Sequence, residues 1–377
     1  MIKTFKVELK PNNKQRSLLH QSAGTARWAY NWALAQSKEH YAQTGMFLFD
    51  GALRKQLTQL KKTSAFAWLY QYSNNVTKQA MKDVSIALNN FFKKRSAFPT
   101  FKSKRKTRPS FYHDPVKLKV TETHVQLEKI GHVRLKEHGR IPIGTSYVNP
   151  RITYDNGQWY ISIAADVECT NATEISKPLG IDLGVKDLAI VSDGQVFKNI
   201  NKTRKIKRLE KRKKRLQRRA SRHYERMVNV RCKKSRGLEK LEKQIRSVNK
   251  VIRDQHTNSI HQMTSKLVKT KPEFLVIEDL NVKGMLRNHR LAKTIQDNRF
   301  GEVRRQLEYK CNWYGVKLIV ADRFYPSSKL CSDCGYKKPD LKLSERTYHC
   351  SECGNVMDRD VNAAVNLLHY GMREVSA

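Results

Sequence analysis

The chain has 377 residues, with Lys plus Arg at 74 against Asp plus Glu at 34, a formal net charge of +40. That length is enough for two or three domains with cores of their own, and no run of 18 apolar residues is present, which excludes a membrane-spanning helix. The positive charge is spread along the chain, so a polyanion is needed to relieve it, and nucleic acid bound through phosphate neutralisation fits better than a membrane surface.

The first stretch, MIKTFKVELKPNN, lacks a signal-peptide core. It predicts a cytoplasmic protein with reduced thiols, in which seven cysteines are buried thiols or metal ligands before they are disulfides. Phe5, Val7 and Leu9 alternate with Lys6, Glu8 and Lys10 as one amphipathic strand. From about Lys14 to Phe92 the pattern is helical, with loop signals near Thr44 and Ser73 and with Trp28 and Trp32 four residues apart, a spacing that suits core packing. FPTFKSKRKTRPSF, Phe98 to Phe111, mixes prolines, aromatics and basic residues, as a structured phosphate-contacting loop would.

Between Val116 and Val167, KLKVTETHVQL, HVRLKEH and RITYDNGQWYISIAAD read as short alternating strands, with a turn at Asp155-Asn156-Gly157. With the N-terminal strand they predict a small barrel into which the helices are inserted. NATEISKPL, from Asn171, reads as a linker. GIDLGVKDLAIVSDGQVF then predicts two strands around a tight turn. Lys202 to Arg219 carries twelve basic residues against Glu210 alone, a helix expected to face phosphates. Leu238, Leu241, Ile245, Val248 and Ile252 mark a second helix seam, with Gly237 expected at the turn between the two helices. Phe274 to Asp279 reads as a buried strand. Phe300, Val303, Leu307 and Cys311 trace a helix face closed by Gly315, and Val316 to Asp322 is one more strand.

Two features carry chemistry. Cys331-x2-Cys334 is followed by Cys350-x2-Cys353, each pair trailed by glycine (Gly335, Gly354). Two residues between thiolates let one tight turn present both sulfurs to a tetrahedral ion, so the pairs predict a closed structural site for one Zn²⁺. Cys169, Cys232 and Cys311 read as ordinary small apolar residues. Asp182, inside an apolar strand, and Glu278, at the end of another, each need a cation or a solvated cleft, because an unpaired buried carboxylate costs several kcal/mol. A third acid would complete a site for two Mg²⁺ ions, which act as a pair on phosphodiesters. HCSECGNVMDRDVNAAVNLL, from His349, offers Asp358 and Asp360 at the start of a final helix that buries Val361, Ala364, Val365 and Leu368. Periodicity alone does not choose between these two aspartates. A hairpin, a strand and a C-terminal helix each bearing an acid form the layout of a ribonuclease-H-like fold.

GIDLGVKDLAIVSDG, FLVIEDLNVKGM, FYPSSKLCSDCG with HCSECG, and DRDVNAAVNLL resemble, in the same order, the RuvC-type motifs and zinc ribbon of the TnpB family. RWAYNWAL and PTFKSK extend the likeness loosely into the N-terminal half. The resemblance implies a transposon-encoded RNA-guided DNA endonuclease that cuts double-stranded DNA beside a short flanking motif. Its guide RNA would derive from the transposon end and read the target by base pairing. It also implies catalytic acids at Asp182, Glu278 and Asp360, with Asp358 outside the metal set, and a protein of a prokaryotic cytoplasm that joins the nucleoid when bound to DNA.

The implied fold class is multidomain α+β. A β-barrel wedge domain (1–12 and 112–175) would hold an inserted helical recognition lobe (13–111). A RuvC-like α/β nuclease domain (176–326) would carry a basic helical insertion (201–270), followed by the zinc ribbon (327–356) and the final motif helix (357–377). Two other readings share features with this one. A ribonuclease-H-fold DNA transposase would use the same acids for strand transfer, and a non-catalytic nucleic-acid-binding regulator would keep them as structural groups.

Overall fold

In this computed structural model the described residues are 1–377 except 169–174, 231–233, 343 and 377. Cys169, Cys232 and the first four residues of the expected linker lie outside the described residues. The chain divides into two compact units, Met1–Glu168 and Cys169–Ala377.

The first unit opens with β1 (Ile2–Lys10). Three helices follow, α1 (Asn13–Thr44), α2 (Asp50–Leu60) and α3 (Asn74–Phe92), with a 3-10 segment at Ser64–Gln71. Six strands complete it: β2 (Ser110–Tyr112), β3 (Lys119–Val120), β4 (His124–Leu127), β5 (Gly131–Leu135), β6 (Tyr147–Asp155) and β7 (Gln158–Asp166). Asn12 and Gln15 form a reciprocal capping box at the start of α1, which satisfies amides left open at a helix N-terminus. The strands form one seven-stranded sheet in the order β2-β6-β7-β1-β5-β4-β3. Its end strands β2 and β3 are not hydrogen-bonded to each other, although Phe111 of β2 and Val120 of β3 share one buried cluster with Val7, Leu9, Trp159 and Ile161. Asn156 and Gly157 both have positive φ between β6 and β7, as the sequence of that turn requires.

The helices α1–α3 build a separate core around Leu34, Leu53, Met81 and Leu88, and Trp28 and Trp32 stack on its edge with centroids 6.2 Å apart. The basic stretch after α3 is pinned: the Asn31 amide donates to the Lys102 carbonyl at 2.9 Å and accepts from its N–H at 2.8 Å. The Lys102 ammonium sits 3.5 Å from the centre of the Tyr30 ring.

The second unit is built on five strands, β8 (Leu179–Asp182), β9 (Asp187–Val191), β10 (Val196–Lys198), β11 (Phe274–Glu278) and β12 (Lys317–Ala321). They form one sheet in the order β10-β9-β8-β11-β12. The expected pair of strands around one turn is therefore three, since Gly194 at φ 85° reverses the chain again into β10. Between β10 and β11 run α4 (Arg204–Val230) and α5 (Arg236–Lys269), and between β11 and β12 come α6 (Val282–Met285), α7 (His289–Asn298) and α8 (Phe300–Tyr314).

Gly237 is not the turn between α4 and α5. Ser235 caps α5 by accepting from the Leu238 N–H, which draws Gly237 into the first helical turn. The seam Leu238, Leu241, Val248 and Ile252 packs with Leu216 and Ala220 of α4. Every basic residue from Lys202 to Arg219 except Lys213 is exposed. The chain ends with a two-stranded ribbon, β13 (Thr347–His349) and β14 (Val356–Asp358), and with α9 (Arg359–Ser376). Among the described residues no helix is long and apolar enough to cross a membrane.

Candidate active site and metal centre

The site follows from strand register. β8 and β11 run parallel with Ile181 opposite Ile277, so the next residues, Asp182 and Glu278, end adjacent strands at the same edge of the sheet. α9 lies against this part of the sheet because Gly180 and Gly371 leave room for it. A Cβ at Gly180 would stand 2.1 Å from the Ala364 carbonyl oxygen, and one at Gly371 would stand 2.4 Å from the Val276 side chain. That close packing sets the first turn of α9, and with it Asp360, near enough to act electrostatically on Asp182.

Both strand-end acids are harder to ionise than ordinary carboxylates. Burial, then the negative charges of Glu278 and Asp360, push the Asp182 carboxyl well above its usual range. Burial also raises that of Glu278, against the hydrogen bond it accepts from Ser327. A divalent ion beside the two carboxylates would supply the positive charge that their burial and mutual repulsion call for.

Asp358 and Asp360 do different work. One oxygen of Asp358 accepts from the backbone N–H groups of Asp360 at 2.9 Å and Val361 at 3.2 Å, so Asp358 is the N-cap of α9. Asp360 instead forms ion pairs with Arg359 at 3.2 Å and Arg346 at 3.7 Å. The three acids are gathered more loosely than the cysteines. Among the described residues only Cys331, Cys334, Cys350 and Cys353 form a group of three or more such donors whose ligand atoms all lie within 4.8 Å of one another.

Those cysteines fit a zinc ion. The sulfurs of Cys331 and Cys353, and of Cys334 and Cys350, are 3.6 Å apart. Tetrahedral zinc with bonds of about 2.3 Å sets sulfurs roughly 3.8 Å apart, whereas a disulfide needs about 2.05 Å. Gly335 and Gly354, at φ 76° and 70°, turn the chain back behind each pair. Tyr348, fully buried, packs beneath Cys331 and Cys350. His349 is exposed on β13, outside the cluster. Cys311 is buried in the sheet's core, where burial pushes its thiol up to about 12.

Side chains that the sequence did not single out tie the two centres together. The Asn366 amide donates to the carbonyls of Ser327 (2.8 Å) and Leu330 (2.7 Å), and that of Asn362 donates to Leu330 (2.6 Å). The Asn362 oxygen accepts from the Ser332 N–H at 2.9 Å, inside the first cysteine pair. Ser327, the residue that Asn366 holds, donates its hydroxyl to Glu278 at 2.6 Å. Both asparagines are buried, and their repeat at spacing four along α9 is the one trace of this link that the sequence carries.

Family models match three stretches of the chain: a helix-turn-helix domain at residues 1–46, a "Probable transposase" domain at 160–289 and a Cas12f1-like TNB domain at 300–367. A protein of Streptomyces pristinaespiralis named "Putative RNA-guided DNA endonuclease" is 32% identical over 374 residues, covering 98% of this chain and 89% of that one. The chain belongs to the TnpB family. InsQ of Escherichia coli K12, which carries the same description, is 30% identical over 98% of this chain and 92% of its own length. The TnpB-like protein L79 of Acanthamoeba polyphaga mimivirus is 31% identical over 155 residues, 38% of this chain and 28% of that protein. In this TnpB chain the transposase-domain match takes in β8 and β11 with Asp182 and Glu278, and the TNB match takes in the cysteine cluster and Asp360.

Proposed function

We propose that this chain is the RNA-guided DNA endonuclease of a transposable element and that it cuts double-stranded DNA next to a short flanking motif by divalent-metal hydrolysis. The observation that carries the site is the parallel register that places Asp182 beside Glu278 at the edge where α9 delivers Asp360. These three acids would hold two Mg²⁺ ions. When bound, such ions supply an activated water on one side of the phosphodiester and stabilise the leaving oxygen on the other.

The chain's own groups prepare that site. Ser327 fixes the Glu278 carboxylate by donating its hydroxyl, and Arg359 and Arg346 hold Asp360 through ion pairs. The four cysteines hold a structural Zn²⁺ that stiffens the start of α9. Residues 176–326 act as a RuvC-like nuclease domain with its basic insertion at 201–270, flanked by the ribbon (327–356) and the final helix (357–377). The sheet of 1–12 and 112–175 acts as a wedge, and 13–111 as a recognition lobe. Together they clasp a guide RNA from the transposon end, paired with target DNA. A charge of +40 suits a partner of RNA plus two DNA strands, read by shape and backbone.

The test separates the two aspartates. Asp360→Ala should abolish Mg²⁺-dependent cleavage and leave RNA binding intact. Asp358→Ala should keep cleavage and lose about 0.5–2 kcal/mol of stability as a helix cap. The reverse pattern, measured by cleavage assay and thermal melting, would move the third ligand to Asp358.

A further inference from the structure

Phe324 is the most exposed aromatic among the described residues, at 87%. Single exposed apolar residues are common and need no explanation, but this one is held in place. The chain turns sharply after β12: the Asp322 carboxylate accepts from the Phe324 N–H at 2.8 Å, and the Asp322 carbonyl accepts from the Tyr325 N–H at 3.1 Å. On its far side Tyr325 is anchored through its hydroxyl to the Asn366 carbonyl at 3.1 Å. A rigid turn therefore presents a bare aromatic ring to solvent.

The turn is also part of the candidate cleft. A cavity of about 170 Å³ is lined by Glu278, Asp279, Asp322, Arg323 and Tyr325. The Asp279 carboxylate lies between two guanidiniums, Arg304 at 2.6 Å and Arg323, whose Nε is 2.9 Å away. Arg304 is shared with Glu308 at 2.9 Å, so the half-exposed side chain of Arg323 is the cation that this wall of the acidic cleft presents to solvent. An aromatic face beside a guanidinium, next to metal-binding carboxylates, is the combination that grips a single strand, the base on the ring and the phosphate on the cation.

We infer that Phe324 and Arg323 form a stacking and phosphate subsite for single-stranded DNA as it enters the cleft. The inference rests on the nuclease reading above. It adds that a base beside the scissile phosphate lies on Phe324.

The test uses the full chain, purified with the RNA that it retains on expression with its native flanking DNA. The probe is a single DNA strand complementary to the variable end of that RNA, with an unpaired overhang carrying one 2-aminopurine, in Ca²⁺ for binding and in Mg²⁺ for cutting. Wild type and Phe324→Tyr should quench the 2-aminopurine on saturation, whereas Phe324→Ala should leave it bright. Phe324→Ala should also raise the KM for strand cleavage about tenfold, with kcat little changed. The ring is too exposed for its loss to unfold the protein, and recovery in Phe324→Tyr would confirm that. Equal quenching and equal KM in Phe324→Ala would overturn the subsite. Failure of the nuclease reading gives a different result: wild type would then quench the probe and not cut it in Mg²⁺.

Discussion

Asp182→Asn should abolish cleavage and at the same time make the metal-free protein more stable. Loss of a ligand to catalytic metal removes several kcal/mol of transition-state stabilisation, a fall of about 10³-fold or more. The gain in stability comes from the same position. The folded protein holds the Asp182 carboxyl in a buried place beside Glu278 and Asp360, so its pKa is raised well above 3.8. A carboxyl with a raised folded pKa binds more protons folded than unfolded, and stability then falls as pH rises from the unfolded value through the folded one. Asparagine removes the charge and keeps the shape. In a chelator at neutral pH, melting should therefore shift up by a few degrees, and the gap from wild type should close as the pH is lowered. A variant that is both inactive and less stable at every pH would show that Asp182 serves packing rather than metal.

Cys334→Ser should act in the opposite direction. Structural zinc and folding are coupled, with binding worth roughly 10–16 kcal/mol in isolated zinc-binding peptides, so zinc content and melting temperature should fall together. The effect should reach the acids as well. Ser332 and Leu330 of the first knuckle are bonded to Asn362 and Asn366, and Asn366 holds the Ser327 that bonds Glu278. Cleavage should thus fall even though no acid has been touched. A Cys334→Ser protein with full stability, no zinc and full activity would contradict both the zinc site and this link.

Much of the fold and the site could be read from the chain because the signals are local. Two residues between cysteines and a glycine behind them describe one turn, and the sulfurs do gather at 3.6 Å. An acid closing an apolar run marks a strand end, and Glu278 sits at such an end, whereas Asp182, expected inside its strand, is the last residue of β8. Helix faces such as Phe300, Val303, Leu307 and Cys311 repeat at a period that sequence displays directly.

What escaped depends on the backbone or on distant partners. Asp358 and Asp360 share a spacing, and only the amides at the start of α9 distinguish a helix cap from a carboxylate paired with arginines. β10 has three residues, too few for a pattern. The Gly237 expectation failed because Ser235, two residues earlier, is the stronger helix start. Ser327, Asn362 and Asn366 are polar residues whose partners lie tens of positions away, so composition and periodicity say nothing of them.

The most direct measurement is plasmid cleavage by the chain purified with its own RNA, after the variable end of that RNA has been replaced by a chosen sequence. An RNA-guided endonuclease will cut in Mg²⁺ at the plasmid site matching the new sequence, beside a fixed flanking motif, and Asp182→Ala will not cut. Cutting at one unchanged place whatever the RNA carries, or joined strands in place of cut ones, would contradict guidance and return the three acids to a transposase.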